Sequence, residues 1–412
     1  MSTLQLLPNI LIMLFHRAFL QRATRLFCLC FFALLLVSKS FAQRTVADFD
    51  KGWHFNLGDV KNGESAKLAD AGWRMLDLPH DWSIEGKFSK DNPATPEGGA
   101  LPGGIGWYRK TFTVPASSKN KLIYIDFDGV YQKSTVWING HELGFRPNGY
   151  ISFRYELTPY LNFGGKNVIA VKVDNSVQPN SRWYSGSGIY RNVWLVTTNK
   201  IAVDHWGTYV TTPEVSNDAA TVHLVTKVTA TKDIGQNWVG IETNIYDSKG
   251  QKVGSLYTHK GEGKDGNIDL SASEPATISQ DIVIKNPQLW STDRPYLYKA
   301  VTTVYSLGYD AVKQYADTYT TSIGIRYFNF DADKGFSLNG KPMKILGVCD
   351  HHDLGSLGAA INTRALERQL EMLKSFGCNA IRTSHNPPAP ELLDLCDKMG
   401  FLVMDEAFDC WE

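Results

Sequence analysis

The chain has 412 residues, 43% of them hydrophobic and 20% charged, with 42 Lys+Arg set against 42 Asp+Glu. That balance excludes a general electrostatic drive towards nucleic acid or an anionic membrane. Length and composition together point to a globular chain of about two to four domains with substantial cores.

The first element is a targeting segment. Arg17, Arg22 and Arg25 precede the apolar run "LFCLCFFALLLV" (26–37), and small Ser40 and Ala42 follow it. This order predicts a secretory signal over residues 1–42, cleaved after Ala42. A membrane anchor is the alternative, but twelve apolar residues fall short of the roughly 20 that a spanning helix needs. The mature chain is therefore expected to be exported, to the periplasm or beyond the cell, with no stable membrane insertion after cleavage.

Residues 43–198 read as β-structure. "KLIYIDFDGV" (121–130) and "STVWINGHELGF" (134–145) alternate apolar and polar residues, and Asn139-Gly140 has the composition of a type I′ hairpin turn. Many short strands without a convincing helix predict a jelly roll or sandwich. Gly103, Gly104 and Gly106 lack the strand-to-helix context of a phosphate loop and are read as loop glycines. Residues 199–325 alternate again, in "ATVHLVTKVTAT" (220–231) and "PYLYKAVTTVYS" (295–306), at the spacing of an immunoglobulin-like sandwich.

From residue 326 to 412 the pattern changes to β-α-β-α-β, the opening of a parallel sheet. Lys344–Val348 is expected to be a short apolar strand. A helix follows with Leu366, Leu370 and Leu373 on one face and Gly377 after its end. "NAIRTSH" (379–385) reads as a strand, Pro390–Met399 as a helix stopped by Gly400, and "LVMDE" (402–406) as a third strand. Polar residues close all three: His351 and His352, then Ser384, His385 and Asn386, then Asp405 and Glu406. In parallel α/β barrels the C-terminal strand ends carry the chemistry. Neighbours on a strand point to opposite faces, so only one of Asp405 and Glu406 can enter the pocket. Cys28 and Cys30 fall in the signal, and Cys349, Cys378, Cys396 and Cys410 show no metal-binding spacing. These four are expected to be small buried hydrophobes of one core.

Several linked strings carry a resemblance: "LPHDWSI" (78–84), "GIGWYRKTF" (104–112), "VWINGHELG" (136–144), "SRWYSGSGIYRNVWL" (181–195), "FSLNGKPMKILGVCDHHD" (336–353), "NAIRTSHNPP" (379–388) and "FLVMDEAFD" (401–409). Together they resemble the glycoside hydrolases of family 2, and among these the β-galactosidases. The resemblance implies a jelly-roll, galactose-binding-like domain, an immunoglobulin-like β-sandwich and an incomplete (β/α)8 TIM barrel. It also implies retaining hydrolysis of terminal β-D-galactosides by two glutamates, on barrel strands expected beyond residue 412. The chain alone is therefore expected to be inactive. A β-glucuronidase or β-mannosidase of the same family is the alternative, as is a non-catalytic carbohydrate-binding protein.

The resemblance also assigns roles. His351, His385 and Asn386 would contact sugar, while Arg382, Asp405 and Glu406 would support the site. Arg182 and Trp183 would line the subsite from the first sandwich, Trp183 by stacking on a pyranose face, with ordinary packing as the alternative for Trp183. Some members hold Mg²⁺ through a Glu and a His after "DEA", and Cys410 stands at the Glu position here. Ser181 replaces an aspartate that binds sodium. No metal and no cofactor are expected, and the adjacent His351 and His352 should diverge rather than share an ion. The expected partner is a carbohydrate.

Overall fold

The computed structural model describes residues 44–231, 238–258, 268–269, 275–307 and 313–408. The expected signal segment and Cys410 lie outside these residues. Among the described residues no helix is long and apolar enough to cross a membrane.

The alternation read in the first β region becomes two antiparallel sheets around one core. The six-stranded sheet runs Arg74–Leu76, Trp53–Leu57, Gly104–Thr113, Lys166–Asn175, Ser134–Ile138 and His141–Arg146. The four-stranded sheet runs Thr45–Asp48, Val193–Thr198, Leu122–Phe127 and Phe153–Glu156. Ile123, Ile125 and Phe127 point inward at 0% exposure, meeting Trp53, Val136, Ile138 and Ile169 of the other sheet. Each such side chain removed from water contributes about 1.5–3 kcal/mol. The Asn139-Gly140 turn has φ of 52° and 86°, as a type I′ hairpin requires. Gly104 and Gly106 are strand residues, not loop glycines. A Cβ on Gly106 would stand 2.6 Å from Trp82 and 2.9 Å from Phe55, so its bare backbone serves aromatic packing.

The second β region is a sandwich of immunoglobulin type. Ile201–Val215, Ala219–Ala230 and Ala276–Lys285 form one sheet. Lys252–Thr258, Trp238–Tyr246, Tyr298–Leu307 and Lys313–Ile323 form the other, with Ile268–Asp269 paired beside Trp238–Tyr246. Strict alternation along Ala276–Lys285 buries every second residue, the signature of a strand with one wet face.

A hairpin sheet (Phe328–Asp331, Gly335–Leu338, Lys341–Pro342) leads into three parallel strands, Gly347–Asp350, Ala380–Thr383 and Leu402–Met404. Helices Thr363–Ser375 and Pro390–Met399 connect them. The first helix is capped by Asn362, whose Oδ1 accepts from Ala365 N at 3.0 Å. Gly377 (φ 85°) and Gly400 (φ 77°) follow the two helices in the left-handed conformation. Leu366, Leu370, Leu392 and Leu395 pack on Ile381 and cover one face of the sheet. The opposite face carries Cys349, Arg382 and Met404 along a trough shared with Phe328, Phe330 and Phe336. Eight strands close a TIM barrel, and the described residues hold the three parallel ones.

Two expectations shift here. The first parallel strand is Gly347–Asp350, three residues later than its apolar run. Asn379 explains the offset: its side chain donates to Lys344 O and accepts from Leu346 N, so a side chain replaces the ladder before Gly347. Cys378 and Cys396 join the helix-side core as expected, but Cys349 is exposed on the other face.

Candidate active site at the strand ends

The parallel register aligns the strand ends, so the residues that follow each strand gather on one rim. Glu406 pairs with Arg382 through Oε1 and accepts from His385 Nδ1 at 3.0 Å through Oε2. Asp405 turns instead to Thr383, whose hydroxyl lies 3.3 Å from Asp405 Oδ1. Both carboxylates stand just past the strand Leu402–Met404 rather than on it, yet they still diverge, because Thr383 holds one and Arg382 the other. The Arg382–Glu406 pair is partly exposed, at 39% and 20%, so it orients more than it stabilises. Arg382 also donates to Cys349 Sγ at 3.4 Å and holds that thiol below the usual cysteine range.

His351 Nδ1 donates to the carbonyl of Ser384 at 2.9 Å. That bond assigns the proton of the neutral ring to Nδ1 and leaves Nε2 as the acceptor. Trp183, from the first sandwich, stacks on His351 with centroids 5.4 Å apart and planes at 13°, and leans on His385 at 5.2 Å. It is only 8% exposed. The ring face turned to His351 is covered by that imidazole. Arg182 is exposed beside it, in a separate groove.

His352 diverges from His351 as expected. Its ring packs between Tyr150 and Tyr190, and Nε2 lies 3.2 Å from Ser185 O. Burial lowers its pKa to about 4, with Arg191 adding to the shift. The unfolded residue titrates near 6.5, so between about 6.5 and 4 the unfolded chain binds more protons. The neutral ring's contribution is then full above 6.5 and lost as pH falls towards 4, by up to about 3 kcal/mol. Burial and Asp353 raise Asp350, across the same cavity, to about 6, which gives the opposite slope. Comparison with His352→Gln isolates the histidine. Measured by denaturant unfolding, the advantage of wild type over the variant should shrink on acidification across this window. A difference constant with pH would show that the ring is not held neutral.

Two buried charges of the first sandwich grip the loops that carry these residues. Arg191, 1% exposed, donates through Nη2 to Pro387 O at 2.9 Å and through Nη1 to Pro388 O at 3.2 Å and Tyr150 O at 3.0 Å. Asp81, 2% exposed, accepts from Ser83 N and Ser187 N through Oδ1, both at 2.9 Å. Its Oδ2 accepts from Ala359 N at 2.9 Å and from the Tyr184 hydroxyl. Arg191 thus seats the loop after Ala380–Thr383, and Asp81 the loop after Gly347–Asp350. Neither stands out in the sequence by type or spacing. Their sole signal is membership of the strings "LPHDWSI" and "SRWYSGSGIYRNVWL".

Three family models match the chain in order: "Glycosyl hydrolases family 2, sugar binding domain" over residues 91–199, "Glycosyl hydrolases family 2" over 203–326, and "Glycosyl hydrolases family 2, TIM barrel domain" over 332–409. The chain belongs to glycosyl hydrolase family 2.

The names of similar proteins divide on the sugar. The beta-galactosidase BoGH2A of Bacteroides ovatus is 54% identical over 90% of this chain and 42% of its own length. A putative beta-glucuronidase of Formosa agariphila is 39% identical over 95% of this chain and 36% of its own. The crystal structure of a family 2 member from Bacteroides cellulosilyticus superposes with a TM-score of 0.82 at 41% identity, covering 89% of this chain and 46% of that one. The chain therefore spans less than half the length of each of these proteins.

Proposed function

We propose that this chain forms part of an exported retaining glycosidase that acts on terminal β-D-galactosides. The observation that carries the reading is the rim on which His351, His385 and the Arg382-bound Glu406 converge beneath Trp183. Both oxygens of Glu406 are engaged, one by Arg382 and one by His385. A carboxylate so held orients its neighbours and is poorly placed to attack carbon or deliver a proton. Retaining hydrolysis needs two carboxyl groups about 5–5.5 Å apart across the bond, and in this reading both come from barrel strands outside residues 44–408. The histidines and Asn386 hold hydroxyls of the terminal sugar, and Arg382 keeps its own carboxylate aligned.

A neutral galactoside is favoured over a glucuronide by the same pair. A uronic carboxylate calls for a cation with an open fork, and Arg382 already serves Glu406. The 54% identity to a protein named beta-galactosidase supports this choice. The test is direct. The chain of residues 1–412, freed of its signal, should give no turnover of a chromogenic β-galactoside. Hydrolysis that persists in Glu406→Gln would place the reacting acids within this chain and overturn the proposal. Tight saturable galactose binding without turnover, even after the downstream coding sequence is joined on, would favour a binding protein.

A further inference from the structure

Between the first sandwich and the loops that follow the first two parallel strands lies a cavity of about 30 Å³. Arg191 walls it on the sandwich side, and Asp350, His352 and Asn386 on the barrel side. The space is too small for a sugar, but a water needs only about 10–15 Å³, so one or two waters fit. Three of the lining side chains each hold a buried nitrogen with no protein partner: Arg191 Nε, His352 Nδ1 and Asn386 Nδ2. Arg191 is 1% and Asn386 9% exposed. Buried polar groups left unpaired are costly, so each calls for a partner.

The chemistry of the set selects its ligand. Arg191 spends its Nη atoms on the carbonyls of Asp128, Tyr150, Pro387 and Pro388, which leaves Nε–H as a spare donor. His352 Nε2 donates to Ser185 O at 3.2 Å, so the neutral ring keeps its lone pair on Nδ1. Two donors and one acceptor thus border one small space. A cation would meet the guanidinium of Arg191 and the NH₂ of Asn386. An anion would meet the His352 lone pair and the Asp350 carboxylate, and an apolar occupant would leave all three nitrogens unpaired. A water can accept from Arg191 and Asn386 and donate to His352. Its second O–H is left for Asp350, whose Oδ1 already takes Gln369 Nε2 at 3.1 Å. The Ser384 hydroxyl, on the same wall beside the Cys349 thiol, donates or accepts and so opposes no occupant. The His351 Nδ1, Thr383 and Tyr190 groups of the lining are already bonded elsewhere.

We infer that this cavity is a built hydration site, holding an internal water that accepts from Arg191 Nε and Asn386 Nδ2 and donates to His352 Nδ1. The water joins three segments distant in the chain and seats Asn386 from behind, whichever sugar the rim takes. The test is a high-resolution crystal structure of the chain, freed of its signal and crystallised at neutral pH without halide. Density for a water is expected at about 2.7–3.2 Å from both His352 Nδ1 and Arg191 Nε. His352→Phe keeps a ring between Tyr150 and Tyr190 but removes the acceptor, so that density should vanish or withdraw from the ring. In solution, His352→Phe and Asn386→Ala should be coupled through the water. Their effects on the unfolding equilibrium should depart from additivity by about tenfold, or about 1.4 kcal/mol. A cavity without density in wild type overturns the inference, as does density that His352→Phe leaves unchanged. An anomalous peak in the cavity of a bromide-soaked crystal would make the ligand an anion and overturn the water. Additivity within about twofold overturns the bridge. Should His352→Phe fail to fold, the wild-type density decides alone.

Discussion

Arg191→Met should destabilise the chain by about 3–4 kcal/mol and loosen the segment that carries His385. Methionine fills much of the volume but donates nothing, so the carbonyls of Pro387, Pro388 and Tyr150 lose their partner in a buried place. Each unsatisfied buried acceptor costs about 1–3 kcal/mol, and partial relaxation keeps the total below the simple sum. Arg191→Lys should recover less than half of the loss, because an ammonium cannot reproduce the planar fork that reaches two successive proline carbonyls. Denaturant unfolding reads the stability, and amide hydrogen exchange across residues 384–392 reads the loosening. A loss under about 1 kcal/mol with unchanged exchange would mean that water or a neighbour replaces the guanidinium.

Asp81→Asn should cost about 2–4 kcal/mol, through a buried acceptor converted into a donor. Oδ1 can still accept from Ser83 N and Ser187 N, but an NH₂ in place of Oδ2 would face the N–H of Ala359. Two donors cannot pair, so the loop before the first barrel helix would be released from the first sandwich. The surrounding glycines confirm how tightly the carboxylate is enclosed: a Cβ on Gly358 would lie 2.4 Å from Asp81 Oδ2, and one on Gly186 2.6 Å from it. Gly358→Ala should therefore destabilise comparably, with added strain from its φ of 63°. An Asp81→Asn variant with wild-type unfolding and unchanged exchange at Ala359 would show that the four-donor cluster is not a mutual hold.

Much of this architecture was legible in the chain before folding, and the reason is locality. Alternation in "KLIYIDFDGV", the Asn139-Gly140 turn, the Leu366 and Leu370 stripe and the Gly400 stop all express contacts within a few residues, so the linear pattern carries them. The rim was legible too, since a polar residue after each parallel strand must reach a common edge. What only the tertiary structure decided involves partners distant in the chain. Asn379 displaced the first parallel strand by substituting its amide for the ladder. Trp183 of the first sandwich met His351 of the barrel segment, and Cys349 turned away from the core that holds Cys378 and Cys396. Arg191 reaches Pro387 across 196 positions and Asp81 reaches Ala359 across 278. Burying a charge is tolerable only where donors or acceptors from several segments converge on it, and that convergence is a property of the packed chain, with no period along the sequence to announce it.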